Sequence, residues 1–356
     1  MRAGIALMTF AGFTGSAAMA QDAVTYSYDG RIGFGYLSER TVGIGGFGFQ
    51  YKGPVLRADA TGRIEFEVLD PLRLGAIARV RWQLGNSSNY DRVRPGGVIA
   101  GGSSEFGGTE VDVAVYAGTP MITLSYGDME SAFDLATREV GQGGSLIDGG
   151  NAVWMSIGDG AGSAGYRGEL GSGPGQAPNF RTLRADITLG DFTLSASKSE
   201  ATGNFGSAYD SEAAGLTWSR DFGDAAVFAG AGYDKGRDDR FNSLSLGATY
   251  NGVNIILSRI HRTPLVIRNA EQAAYEITYI GQSISYDFGP VEVGLARSKQ
   301  TSPVSTVNLF KGDGRAIWAS WDAGENVSVD VEWSESDYSG GGEDTRKASL
   351  AVAMSF

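Results

Sequence analysis

The stretch Gly62–Trp82, GRIEFEVLDPLRLGAIARVRW, decides the fold because it combines two alternating runs of residues across a tight turn. In the first run, the apolar residues Ile64, Phe66 and Val68 alternate with charged residues, and the second run alternates in the same way. The turn residues 69–71 separate the two runs. Successive side chains of a strand point to opposite faces of a sheet. The stretch therefore predicts a β-hairpin with one apolar face and one charged face.

The same hairpin pattern recurs along the chain. Five of the seven connecting turns contain Asn-Gly, Gly-Asp or Asp-x-Gly, which are residues that accept the positive φ of tight turns. The seven predicted pairs are 57–68 with 72–84, 111–117 with 121–126, 182–189 with 192–198, 213–220 with 225–233, 243–250 with 253–260, 275–286 with 291–297, and 316–321 with 327–333. Single strands at 25–36 and 347–356 bring the fourteen paired strands to sixteen.

Alternating segments of about ten residues, with short turns on one side and long loops on the other, are typical of an outer-membrane barrel. Lipid offers no hydrogen bonds to a sheet edge, so a spanning sheet must close on itself. A soluble β-sandwich is the alternative, but the regular spacing and the aromatic last residue, Phe356, favour the barrel. We predict an all-β fold, a closed antiparallel 16-stranded transmembrane β-barrel.

Residues 1–20, MRAGIALMTFAGFTGSAAMA, differ from the rest of the chain. They have a basic residue near the start, a short apolar body and an Ala-x-Ala end, which is the pattern of a secretory signal peptide. We therefore predict that residues 21–356 form one barrel domain. The net charge of −12 argues against a nucleic-acid partner, because nucleic-acid binding requires a basic surface.

The third predicted loop, residues 127–181, is by far the longest. Loops of this length are uncommon and usually functional or disordered. Its first part, 126–141, predicts a short helix with apolar anchors, and the loop is rich in acidic residues. A 16-stranded barrel leaves an aqueous channel. We predict that the loop folds into the lumen; an outward surface loop is the alternative. The other predicted loops are 37–56, 85–110, 199–212, 234–242, 261–274, 298–315 and 334–346.

Three motifs and the last residue resemble a known family in their order and spacing. They are YDGRIGFGY (28–36), ITLSYGDMESAF (122–133), NFRTLRADI (179–187) and Phe356. Over residues 21–356 the chain resembles the general-diffusion porins of Gram-negative outer membranes, particularly the sixteen-stranded trimeric type of alphaproteobacteria. The resemblance implies a third loop inside the barrel, whose acidic residues face arginines on the opposite wall. It also implies a homotrimer and a terminal aromatic residue, Phe356, that the barrel assembly machinery recognises.

Strand alternation places several candidate residues in the predicted lumen. They could merely be solvated there, or they could create a transverse field that favours polar solutes. We favour the field. The candidate basic wall comprises Arg31, Arg63, Arg79, Arg81 and Arg184, and the candidate acidic loop residues are Asp128, Glu130, Asp134, Glu139 and Asp148.

The function expected from these features is a water-filled channel in the bacterial outer membrane for passive diffusion of small hydrophilic solutes and ions. A substrate-selective channel for a sugar or an anion is the alternative. We expect no enzymatic activity, because the only histidine, His261, is predicted at a strand–loop junction near Ser258 without a nucleophile motif. We expect no cofactor and no metal. Lipid and lipopolysaccharide are expected partners, and the acidic loops suggest a mild preference for cations.

Overall fold

The computed structural model describes residues 24–42, 48–85, 90–94, 97–99, 107–138, 140, 180–201, 210–236, 239–265, 276–302, 311–339 and 344–356. The predicted signal peptide and residues 141–179 of the predicted third loop lie outside these ranges. None of the helices in the described residues is both long enough and apolar enough to cross a membrane.

Sixteen antiparallel strands form a closed wall, as predicted. Each wall strand pairs with the next, β3 pairs directly with β6, and β1 pairs with β18 to close the barrel. Two short strands, β4 (Tyr90–Arg94) and β5 (Gly97–Ile99), extend beyond the wall next to β2. The wall strands are β1 (Val24–Val42), β2 (Gly48–Leu69), β3 (Leu72–Gly85), β6 (Gly107–Gly118), β7 (Ile122–Gly127), β8 (Phe180–Leu189), β9 (Phe192–Ala201), β10 (Ser211–Asp221), β11 (Ala225–Gly236), β12 (Asp239–Tyr250), β13 (Val253–Pro264), β14 (Ile277–Asp287), β15 (Val291–Thr301), β16 (Lys311–Gly324), β17 (Val327–Ser339) and β18 (Asp344–Ser355).

Several strands extend further than predicted, so the predicted loop lengths are wrong. The first loop was predicted over 37–56, but β1 continues to Val42 and β2 begins at Gly48. The loop predicted over 234–242 is also short, because β11 ends at Gly236 and β12 begins at Asp239. The reason is that backbone groups pair between neighbouring strands whatever the side chains are, so pairing continues after the apolar alternation has stopped.

The two faces of the wall carry different residues. Large apolar side chains such as Ile64, Phe66 and Leu74 are exposed on the outer face. On the same hairpin, Asp59 lies opposite Arg81 on the inner face. An exposed apolar surface that extends around the barrel is costly in water, and it is typical of a sheet that faces hydrocarbon.

The barrel closes at a seam where the last residue packs against a glycine. The Gly30 N–H donates to the Phe356 carbonyl oxygen, and the Phe356 N–H donates to the Gly30 carbonyl oxygen, both at 3.0 Å. The Phe356 ring lies over Gly30, so that a Cβ at Gly30 would be 2.5 Å from the ring Cζ. The absence of a side chain at Gly30 therefore gives the terminal ring its place.

We expect Gly30→Val to weaken this seam, because the added methyl groups must displace the Phe356 ring or the backbone. Such overpacking costs about 1–3 kcal/mol. Gly62→Val is a matched control on the adjacent strand, because a Cβ at Gly62 meets nothing within 4 Å. The temperature at which the folded band converts to the unfolded band on a detergent gel should fall for Gly30→Val alone. An equal fall in both variants would contradict the argument.

Candidate functional site

Four of the predicted arginines lie together on the inner face of three adjacent strands. Arg31 of β1 lies opposite Asp59 of β2, which lies opposite Arg81 of β3. One step nearer the tight turns, Arg79 lies opposite Thr61, and Arg63 follows two residues later on β2. The structure thus brings Arg31, Arg63, Arg79 and Arg81 together, and we call this group the basic wall.

Acidic side chains from other strands hold two members of the basic wall: Asp112 comes from the adjacent strand β6, and Asp330 comes from β17, one strand beyond the neighbour of β1. Arg81 Nη2 donates to Asp112 Oδ2 at 3.1 Å. Arg31 Nη2 lies 3.6 Å from Asp330 Oδ2. Asp330 is buried and also accepts a hydrogen bond from the Ser320 hydroxyl at 2.6 Å. The prediction did not include these acids, which fix where the guanidinium groups stand.

The basic wall also contains an arginine with a different environment. Arg63 is exposed and forms no ion pair or hydrogen bond with any other residue that the structure describes. The prediction missed a further arginine of β2, Arg57. Its side chain is buried, and its Nη2 lies 3.2 Å from Asp59 Oδ2. Arg63 is therefore the least neutralised cation of this group.

The predicted short helix is present as α1 (Ala132–Ala136). Ser131 caps its first turn: the Ser131 hydroxyl accepts from the Asp134 N–H at 3.3 Å, and the Asp134 carboxylate accepts from the Ser131 N–H at 3.0 Å. This reciprocal capping box satisfies backbone donors that a short helix leaves unpaired. The predicted loop acid Asp134 therefore stabilises the helix end.

Helix α1 packs on the inner face of β9–β12. A Cβ at Gly215 or Gly230 would collide with the carbonyl oxygens of Ala132 and Ala136, so only glycine allows this close approach. The Ala132 N–H donates to the Ser197 hydroxyl at 2.9 Å. The buried side chain of Phe133 completes the contact within an apolar cluster on the same face. We call these glycines and the serine the helix seat.

The helix seat and the basic wall lie on roughly opposite sides of the barrel. In the order of wall strands, β11 is seven strands from β2 in one direction and nine in the other. The segment 128–138, with which the third loop begins, thus lies across the lumen from the arginines. Because residues 141–179 lie outside the described ranges, the course of the rest of the loop stays a prediction.

The remaining predicted site residues occupy several places. Arg184 faces inward on β8, the strand that follows the third loop, rather than within the basic wall. Arg184 Nε lies 3.0 Å from Asp186 Oδ2, and Arg184 Nη1 donates to the Glu130 carbonyl oxygen at 2.8 Å. The Glu130 side chain is exposed, and the Asp128 N–H donates to the Val113 carbonyl oxygen at 2.9 Å. Glu139 and Asp148 lie outside the described residues.

His261 lies within β13, so its predicted position at a strand–loop junction is wrong. It points outward, with Nδ1 2.9 Å from the Thr278 hydroxyl and Nε2 3.5 Å from a Glu276 carboxylate oxygen. Ser258, three residues earlier, points inward and bonds to the Ser245 hydroxyl at 3.1 Å. The two side chains considered together in the sequence therefore lie on opposite faces. The described part of the chain contains no group of three or more His, Cys, Asp or Glu residues placed to hold a metal.

Comparisons with known proteins identify similar folds. No family model matches the sequence, and no curated protein matches it either. One solved structure, from work on asymmetric conductivity of engineered proteins, is 16% identical over 93% of this chain and 100% of its own, with a TM-score of 0.56. A mutant of the porin from Rhodopseudomonas blastica has 16% identity, the same coverage and a TM-score of 0.53. A triple mutant of that porin has 14% identity, the same coverage and a TM-score of 0.53. The chain therefore has the closed 16-stranded barrel fold seen in this alphaproteobacterial porin.

Proposed function

We propose that the protein is an outer-membrane porin, a water-filled channel for the passive diffusion of small hydrophilic solutes and ions. The observation that carries this proposal is the closed barrel with an apolar outer face and a charged inner face. Sixteen strands enclose an aqueous lumen, and charges that line it remain hydrated. The fold shared with the porin of Rhodopseudomonas blastica is consistent with this function.

The basic wall and the third loop would form the narrow part of the channel. The seat of α1 on the inner face supports a loop that folds into the lumen, opposite the arginines. Guanidinium groups on one side and loop carboxylates on the other would set up a transverse field. A polar solute can align with such a field, whereas an apolar solute displaces ordered water without replacing its interactions.

The proposed setting is the bacterial outer membrane, after removal of a signal peptide over residues 1–20. The apolar outer face suits contact with lipid and lipopolysaccharide, and a homotrimer is the expected assembly. Phe356 would be the residue that the barrel assembly machinery recognises, since its ring lies exposed on the outer face at the seam. No enzymatic activity, cofactor, metal or nucleic-acid partner forms part of this proposal.

Single-channel recording in a planar bilayer tests the proposal against the substrate-selective alternative. We expect discrete conductance steps and, in a salt gradient, a reversal potential that shows mild cation preference. Conductance blocked saturably by one sugar or anion would support the selective channel instead. Purified folded protein that produces no steps would remove both interpretations.

We expect replacement of Arg79 and Arg81 by Gln to increase cation preference. The lumen loses two positive charges, and the Asp112 carboxylate loses the guanidinium group of Arg81 that neutralises it. An ion that passes a charge at about 4 Å in water gains or loses about 1 kcal/mol. The ratio of cation to anion permeability should therefore rise by about fivefold, measured from the reversal potential.

The matched control for this variant is replacement of Arg220 and Arg259 by Gln. Both residues are exposed and point away from the lumen, in alternation with inward-facing neighbours. This control removes the same formal charge but should leave the reversal potential unchanged. An equal change in the two double variants would contradict a role for the basic wall.

We expect Gly215→Ala to lower the conductance and increase the open-channel noise. The added methyl group pushes α1 away from the strands, and the helix can move only into the lumen. Gly247→Ala is the control, because a Cβ there makes only ordinary contacts, the nearest at 3.6 Å. Conductance of Gly215→Ala equal to that of the unmodified protein would mean that α1 does not narrow the channel.

A further inference from the structure

Four cations point outward from the adjacent wall strands β13–β16, of which β14 contributes none. They are Arg259 of β13, Arg297 and Lys299 of β15, and Arg315 of β16, and we call them the outward basic patch. All four are exposed. We propose that this patch binds the phosphate groups of lipid in the outer leaflet. This inference rests on the proposed function, which places the outer face in a membrane.

The register places two of these cations on either side of an exposed apolar residue. Arg259 lies opposite Ile280 of β14, and Ile280 lies opposite Lys299. Ile280 is 52% exposed on the same outer face. Adjacent strands are about 4.8 Å apart, so the two Cα atoms are about 10 Å apart. Both long side chains can therefore reach a single anionic group above Ile280.

These two cations are not held in an ion pair within the described protein, although Asp313, which binds Arg297, lies opposite Lys299 in the register. Neither Arg259 nor Lys299 forms an ion pair or a hydrogen bond with any residue that the structure describes. By contrast, Lys198 on the outer face of β9 lies 3.2 Å from Glu200 on its own strand. An outward charge is thus neutralised on β9, whereas the row across β13–β15 retains two positive charges.

The other two cations lie beside this row and are already partnered. Arg297 lies 3.6 Å from Asp313, and both side chains are more than half exposed. Arg315 binds Glu335 and has its guanidinium carbon 5.9 Å from the centre of the Trp333 ring. Aromatic rings on the outer face are typical of the boundary between hydrocarbon and head groups.

The position of the patch along the strands indicates which part of a lipid it meets. Towards the tight turns, the outer face continues with the exposed apolar residues Leu257, Ile284 and Leu295. Arg259 and Lys299 lie farther from those turns, towards the end of the wall with the longer connections. Cations at the edge of an apolar band extend towards the head groups and gain from an anionic partner there.

Phosphate is the chemistry that suits this pair of side chains. A guanidinium group forms two parallel hydrogen bonds with phosphate oxygens, and an ammonium group adds a compact positive charge. A second copy of this chain would have to supply a surplus of carboxylates at the same level. Among the described outward acids at this level, Asp313 and Glu335 already bind arginines, which leaves the exposed Asp337 opposite Asp313 as a single carboxylate against four cations. We therefore assign the patch to lipid phosphate.

Titration of the folded protein in neutral detergent with phosphatidic acid tests this assignment. The readout is the temperature at which the folded gel band converts to the unfolded band. We expect phosphatidic acid to raise this temperature, and phosphatidylcholine with the same chains and inorganic phosphate at the same concentration to leave it unchanged. Each cation near an anionic surface raises the affinity about fivefold. The variant in which both Arg259 and Lys299 are replaced by Gln should therefore need about 25-fold more phosphatidic acid for the same rise in temperature.

The control variant is Lys198→Gln, which removes an outward cation that already has a partner and should respond like the unmodified protein. An equal response of the double variant to phosphatidic acid would overturn the proposal, as would an equal effect of inorganic phosphate. Loss of the oligomer in the double variant, with its lipid response intact, would assign the face to a subunit contact instead. Conductance should persist in the double variant, so that failure of the lipid site can be separated from failure of the channel proposal.

Discussion

The structure depends on one constraint: every backbone N–H and C=O group in the wall must find a partner in a neighbouring strand. An open sheet would leave two rows of unpaired groups, which is prohibitive where no water can reach them. The chain meets this requirement by pairing its first strand with its last, from Arg31 opposite Ser355 to Val42 opposite Asp344. At the seam, two reciprocal hydrogen bonds between Gly30 and Phe356 complete the closure of the barrel. Closure therefore turns a repeated hairpin into a channel.

Closure also gives the two faces of each strand different surroundings. Alternate residues point into the enclosed lumen, and the others point outward. A single alternating pattern of polar and apolar residues therefore suits both water inside the barrel and lipid outside it. The inner face can hold arginines at low cost only when water or carboxylates surround them. Arg81 beside Asp112 and Arg31 beside Asp330 show how the wall supplies these carboxylates from the next strand or the one beyond it. Such pairs fix the direction of a guanidinium group while leaving part of its charge for the lumen.

Local patterns in the sequence predicted the fold and the faces, because both depend on neighbouring residues. The alternation across Gly62–Trp82 and the glycine-containing turns predicted the strands, and Ser131 with Asp134 marks the beginning of α1. Strand ends were missed because backbone pairing continues where apolar alternation stops. The partner acids Asp112 and Asp330 were missed although each alternates inward on a predicted strand. Their roles depend on which strands become neighbours and at what register, and no single strand contains that information.

The helix seat shows why a glycine-rich strand can carry information that alternation does not reveal. Gly215 and Gly230 weaken their strands as isolated segments, because glycine gains no side-chain packing and loses the most backbone freedom on folding. In the barrel they leave room for the carbonyl oxygens of Ala132 and Ala136. The Ser197 hydroxyl then supplies an acceptor for a backbone N–H of a helix too short to satisfy its own donors. Glycine and serine on an inward face are therefore complementary: glycine lets the helix approach, and serine bonds it once it is there.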